Sequence, residues 1–304
     1  MPAIVIGSSM RLHVRMIGSA DHSPLLLIQG LGMQMTDWPG TLLAALSQHH
    51  RLVLFDNRDY GRSSPCGPAI DPALRESDYP FAPVAPERAP YSLYDMAADA
   101  LSLLDALRID SAHVMGFSMG GMIAQIMAAQ WPDRVRSLVS LMSSGGQPVL
   151  LDDMPGAQFL ARMIVHVPDR ARLIRRMVAA QSAWTGPHHV IDPRIVVRRL
   201  ELGYRRCYRP AAIHRQALAY ASAGDRSSLL RCIRCPSLVI HGGADPIIPL
   251  AFAEAAARLI PGASLMVLPD AAHDLHPAVV PRLSAAILAH LAVAAPIRIR
   301  SDVV

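Results

Sequence analysis

Short apolar runs recur along the chain at 25–29, 51–56, 112–117, 135–142, 237–241 and 263–268. Most are unbroken instead of alternating with polar residues, as suits strands of a parallel sheet covered on both faces. Between them, 39–48, 93–107, 119–130, 250–260 and 278–293 carry apolar residues at helical spacing. Ahead of the first run, 3–6 and 11–17 flank Gly7-Ser8-Ser9 and read as an antiparallel hairpin. Strand and helix in alternation predict an α/β protein built on a mostly parallel, doubly wound sheet.

Two stretches interrupt the alternation. Residues 65–90 contain Pro65, Pro68, Pro72, Pro80, Pro83, Pro86 and Pro90, which excludes a helix or a central strand. The second, 145–231, has helical periodicity and no strand pattern, and the sheet resumes after it. The expected organisation is therefore a core of residues 1–144 and 232–295, a helical cap at 145–231 inserted between two core strands, and a tail at 296–304. An open sheet edge needs a cover to enclose a small molecule. Met154, Phe159, Met163, Met177 and Trp184 of the cap are the candidates for its apolar wall.

Composition narrows the class. Hydrophobic residues make up 52% of the 304 and charged residues 17%, a globular balance. No apolar run approaches bilayer length, and the N-terminal segment lacks the pattern of a secretory signal, so a cytoplasmic protein without a membrane partner is expected. Cys232 and Cys235 stand at C-x-x-C spacing but lead into a strand, and no second pair completes a zinc site; reduced thiols are expected. The net charge of +5 comes from arginine alone, and 145–228 holds thirteen arginines against six acidic residues. Arg172, Arg175 and Arg176, then Arg194, Arg198 and Arg199, alternate with apolar residues at helical spacing, which predicts solvated helix faces and no nucleic-acid partner.

The residues with chemistry cluster at strand ends. Gly116-Phe117-Ser118-Met119-Gly120-Gly121 follows one apolar run and opens a helical one. In that context G-x-S-x-G is a nucleophile elbow, a sharp turn that lifts the serine hydroxyl above the sheet. A serine nucleophile needs a base and an acid to orient it. Asp245 follows the run 237–241, and His273 follows 263–268, so both occupy loops at the edge that carries Ser118. Rivals for the base are His276, three residues on, His241, which precedes the acid, and His188-His189 in the cap. Asp152 or Asp153 is the fallback acid. The N–H groups of Met119 and of Leu31, in Gly30-Leu31-Gly32, are the candidate oxyanion donors, with Gly32 as rival for the second. The polar stretch Asp56–Ser63 reads as a turn held by internal hydrogen bonds. No His, Cys and carboxylate set has metal-ligand spacing, and no G-x-G-x-x-G follows a strand, so neither metal nor other cofactor is expected.

These marks together resemble the α/β-hydrolase family from about residue 3 to 292: Gly30-Leu31-Gly32 with Trp38 beyond, Asp56-Asn57-Arg58-Asp59-Tyr60-Gly61-Arg62-Ser63, the elbow, Gly243-Ala244-Asp245 and Ala272-His273. The resemblance is greatest to the esterase branch that includes aclacinomycin methylesterase. It implies hydrolysis of a small or medium apolar carboxylic ester, a small-molecule substrate, no cofactor and a helical cap. Lactonase, thioesterase, carbon–carbon hydrolase and perhydrolase chemistry share the constellation, and a non-catalytic binding protein on the fold is the reading from another class. Gln29 stands where many members have histidine, and Asp270-Ala271-Ala272 replaces the commoner glycine before the histidine.

Overall fold

The computed structural model describes residues 3–7, 9–148, 155–185 and 189–293. In chain order the elements are β1 (Ala3–Ile6), β2 (Met10–Ile17), β3 (Pro24–Ile28), α1 (Gly40–Ser47), β4 (Arg51–Phe55), α2 (Leu93–Ala106), β5 (Ala112–Phe117), α3 (Met119–Gln130) and β6 (Val135–Leu141). There follow α4 (Pro155–Ile164), α5 (Arg170–Thr185), α6 (Pro193–Arg206), α7 (Pro210–Ala221), α8 (Ser227–Leu230), β7 (Ser237–Gly242), α9 (Leu250–Leu259), β8 (Ser264–Leu268) and α10 (Val280–Val293). One eight-stranded sheet runs in the order β1-β2-β4-β3-β5-β6-β7-β8. β1–β2 and β2–β4 pair antiparallel, and every other neighbouring pair is parallel.

The apolar runs are unbroken because each strand feeds two cores. Along β3, Leu26 and Ile28 point to one side, where α2 and α3 pack, while Leu25 and Leu27 point to the other, under α1 and α10. Alternate side chains leave opposite faces of a strand, so a sheet covered on both sides needs apolar residues at every position. Central α3 is buried from Met119 to Ala128 and correspondingly lacks a polar face. Its neighbour α2 starts at Ser92, whose hydroxyl accepts from Asp95 N–H while the Asp95 carboxylate accepts from Ser92 N–H.

The proline-rich segment is not wholly irregular: 3-10 turns form at Glu76–Asp78 and Pro86–Arg88, each stopped before a full helix. Helices α4 to α7 fall between β6 and β7, within the stretch where the sequence shows no strand pattern. None of the described helices is long and apolar enough to cross a membrane.

Not all arginines of the insertion are solvated, contrary to the expectation from their spacing. Arg172, Arg175, Arg194, Arg198 and Arg199 are exposed, but Arg206 and Arg215 reach into the core. Arg206 pairs with Asp56 at 2.5 Å and donates to Gln34 Oε1, while the Asp56 carboxylate also accepts from the N–H groups of Met35 and Arg62. Arg215 forks onto both oxygens of Asp59 at 2.6 and 2.8 Å, joined there by Tyr91 Oη–H and Cys66 N–H. The turn Asp56–Ser63 therefore holds itself together and also anchors the inserted helices. Gly61 is obligatory in it, because φ is +58° and a Cβ would stand 2.2 Å from Asp56 Cγ.

A buried carboxylate deprived of its cation loses far more than a surface pair does. Arg206→Ala, which strands the fully buried Asp56, is expected to cost about 3–5 kcal/mol. Arg194→Ala, at an exposed pair, should stay within about 0.5 kcal/mol. Urea denaturation of both variants checks the contrast.

Candidate active site

Four loops from the carboxyl ends of β3, β5, β7 and β8 meet over the sheet. The centre is Ser118, between β5 and α3, with φ 54° and ψ −121°. A non-glycine residue rarely adopts such a conformation, and it persists only when its surroundings impose it. Here they do. Ser118 N–H donates to Leu141 O at 2.8 Å; its carbonyl accepts from Gly121 N–H, Met122 N–H and the Ser143 hydroxyl. The turn closes so tightly that a Cβ on Gly116 would lie 2.0 Å from Gly120 O, and one on Gly120 would lie 2.1 Å from Ile28 O. The motif glycines are thus a clearance requirement, and the result is a serine side chain facing a cavity.

His273, in the loop after β8, places Nε2 3.0 Å from Ser118 Oγ and Nδ1 2.7 Å from Asp245 Oδ2. An ionised carboxylate only accepts, so these contacts assign the proton to Nδ1 and leave Nε2 free to receive the serine proton. Asp245 is fixed in turn by the N–H groups of Ile247 and Ile248, both 2.8 Å from Oδ1. Burial alone would raise its pKa; the contacts with His273, then His241 and Ile248, outweigh that and hold it below the usual carboxylate range. Phe117 packs against the His273 ring at 5.2 Å. The His273 N–H donates to Trp184 O at 3.0 Å, so the end of α5 grips the backbone of the same loop.

The other histidines lie elsewhere. His241 is fully buried beside Asp245, 3.3 Å from Oδ2, and donates from Nε2 to Ile248 O at 2.7 Å. Burial lowers its pKa, so it braces the acid as a neutral ring. His276 accepts from Ala278 N–H and stacks on His189 with centroids 4.4 Å apart. His188 and the fallback acids Asp152 and Asp153 lie outside the described residues.

A small, mainly apolar cavity opens at Ser118. Leu31 and Met119 both line it, and among the described residues no acceptor is found for either backbone N–H. Gly32 N–H, the rival donor, is taken by Gln216 Oε1 at 3.0 Å; Gln216 itself is buried and tied to Arg58 O. Gly30 stands directly against Ser118, where a Cβ would meet Ser118 Cβ at 3.2 Å. Gln29, in the position of the family's usual histidine, is buried and bonds to Phe55 O, with its own carbonyl accepting from Asn57. It links the ends of β3 and β4 below the cavity.

The cavity wall differs from the expectation that the insertion supplies most of it. Core residues such as Met33, Phe117, Met122, Ile247 and Ile248 dominate, and the inserted helices add Leu160, Trp184 and Tyr220. Met163 and Met177 line a second cavity, on the far side of Gly32. Phe159 lies on α4, but its side chain, like all of Met154, is outside the described residues. Tyr79, from the proline-rich loop, also lines the Ser118 cavity. An aromatic residue inside so long a loop was the available signal for it. Gln216 offered none, because its partner lies 184 residues away.

The strain at Ser118 is measurable. Glycine relaxes at positive φ whereas alanine does not, so Ser118→Gly is expected to be more stable than Ser118→Ala by about 1 kcal/mol, after allowing for glycine's looser unfolded chain. Equal urea midpoints for the two variants would mean that the turn is unstrained.

Comparison with known proteins identifies the family and the fold. The family model described as the alpha/beta hydrolase fold matches residues 23–277. Rhodomycin D methylesterase DauP of Streptomyces sp. (strain C5) is 31% identical over 295 residues, covering 90% of this chain and 92% of the relative. Rhodomycin D methylesterase DnrP of Streptomyces peucetius is 29% identical with the same coverage. Among solved structures, a hydrolase from Pseudomonas aeruginosa PA01 superposes with a TM-score of 0.71 at 26% identity, covering 95% of this chain and 97% of that one. The enol-lactonase from Burkholderia xenovorans LB400 shares the fold at a TM-score of 0.74 and 22% identity, with 96% and 100% covered. On sequence and on structure, the chain belongs to the α/β-hydrolase fold family.

Proposed function

We propose that the protein hydrolyses a small or medium apolar carboxylic ester through an acyl-enzyme on Ser118. The observation that carries the reading is the unbroken chain Ser118 Oγ–His273–Asp245, at 3.0 and 2.7 Å, opening into an apolar cavity. Ser118 Oγ attacks the ester carbonyl while its proton passes to His273 Nε2, and the imidazolium is stabilised by Asp245. The carbonyl oxygen becomes an oxyanion held by the N–H groups of Leu31 and Met119. As the intermediate collapses, the alcohol leaves with the proton from His273. Water, deprotonated by the same ring, attacks the acyl-enzyme, and the acid departs as Ser118 regains its proton. The methylesterase relatives support an ester with a small alcohol. The inserted segment 145–231 serves as a cap: Leu160, Trp184 and Tyr220 cover the cavity, and Trp184 O holds the backbone of the base.

The roles make separable predictions for single-turnover acylation by an aryl ester. Ser118→Ala and His273→Ala should each lose several orders of magnitude, since members of such a unit do not contribute additively. Asp245→Asn, which permits the wrong imidazole tautomer, should lose about 10⁴-fold. His276→Ala should remain within about tenfold of the parent, having no place in the chemistry. Rapid acylation of His273→Ala would remove that residue from the role of base. For the oxyanion donors, Leu31→Pro deletes one N–H and should lower turnover by about 10²–10³, whereas Leu31→Ala keeps the donor. Comparable turnover in folded Leu31→Pro and Leu31→Ala proteins would exclude Leu31.

A further inference from the structure

The second cavity, between the inserted helices and the loop after β3, has a volume of about 120 Å³. No residue that lines it also lines the cavity at Ser118. An apolar cavity of roughly 150 Å³ takes up a benzene ring, so a space of this size admits a small organic molecule. Much of the wall is apolar, with Met163, Leu173, Ile174, Met177 and Ile213 coming from the inserted helices.

One charged group on that wall lacks a partner. Asp37, between β3 and α1, accepts from Gln34 N–H at 2.7 Å through Oδ2. Among the described residues, neither a donor to Oδ1 nor a cation paired with this carboxylate is found. Asp56 and Asp59, by contrast, each hold an arginine. Asp37 is only partly buried, yet desolvation lifts its pKa above the usual carboxylate range; the Gln34 N–H and Arg199 offset this incompletely.

Aromatic groups stand around it. Tyr60 is buried on the same wall, and its hydroxyl has no partner among the described residues, which leaves a second acceptor. Tyr204 and Tyr208 also line the cavity, with ring centroids 4.9 Å apart. Arg170 already lies over the Tyr204 ring, 5.6 Å from its centroid, as a cation does on an aromatic face. Arg199 is the one feature of the lining that favours an anion. It is exposed and donates to Gln181 Oε1, and a solvated guanidinium gains little from a further partner. The unpaired carboxylate therefore sets the sign of the ligand.

We propose that this cavity binds a small organic cation, a primary ammonium on a compact apolar body of about six or seven carbons. The ammonium donates to Asp37 Oδ1, and the body packs on Met163, Met177 and the tyrosine rings. Nothing in this assignment depends on the chemistry at Ser118.

Calorimetric titration of the parent protein at neutral pH compares three charge states on one body. The probes are cyclohexylamine and benzylamine, the neutral cyclohexanol and benzyl alcohol, and the anionic cyclohexanecarboxylate and benzoate. Each amine should bind about 10–100-fold tighter than its alcohol, the fold-change of a hydrogen bond to a charged group. Asp37→Asn, which can still accept from Gln34 N–H, should abolish that difference and leave alcohol binding unchanged. Met177→Trp, which fills the space, should remove amine and alcohol binding alike, while Ser118→Ala should titrate as the parent does. Amines that bind the parent no better than alcohols overturn the proposal, whether or not any variant folds. So does an amine preference that survives Asp37→Asn or disappears in Ser118→Ala, since either would place the cation elsewhere. Tighter binding of the carboxylates also overturns it, by making Arg199 the recognising group.

Discussion

At Ser118 the chain must turn from β5 into α3 within one residue, and it does so at φ 54°, in a region that side chains avoid. Much of the architecture serves to keep it there. The carbonyl of Leu141, on the neighbouring strand, takes the serine N–H, and the Ser143 hydroxyl beyond that strand secures the serine carbonyl. Glycines at 116 and 120 let helix and strand backbones approach to distances that any Cβ would forbid. Two consequences follow from this turn. The hydroxyl projects above the edge where the β7 and β8 loops deliver Asp245 and His273, and Met119, the first residue of α3, lines the cavity.

The inserted helices are held to that edge by polar contacts as well as packing. Asp56 and Asp59 sit in the turn after β4 and would be costly if unpaired; Arg206 of α6 and Arg215 of α7 supply their cations. Gln216, the next residue on α7, takes Gly32 N–H and so fixes the loop that presents Leu31. Trp184 O takes His273 N–H. The same segment therefore positions a candidate oxyanion donor, steadies the candidate base and roofs the cavity, which couples the geometry of the chemistry to the seating of the insertion.

How far the sequence foretells this depends on the range of the interaction. The sheet is legible because each strand must be apolar on both faces, as Leu25 to Ile28 show by feeding two cores. The loops of Ser118, Asp245 and His273 are legible because each directly follows such a run and parallel strands end at one edge. The wall of the cavity is not. An amphipathic helix shows which side chains are apolar but not which of two neighbouring spaces they enter; Trp184 faces Ser118, while Met163 and Met177 face the cavity beyond Gly32. The buried arginines are likewise hidden, since Arg206 and Arg199 share a helical spacing and differ only in the presence of an aspartate 150 residues before Arg206. Long-range pairs of this kind leave no local periodicity.

The proposed chemistry requires Ser118 to be an activated nucleophile. Its most direct measurement is treatment of the folded protein with a fluorophosphonate at neutral pH, followed by peptide mapping of the adduct by mass spectrometry. The account predicts one adduct per chain, on the peptide containing Ser118, formed rapidly in the parent and not in His273→Ala. An unlabelled parent protein, or an adduct on any other residue, would contradict it.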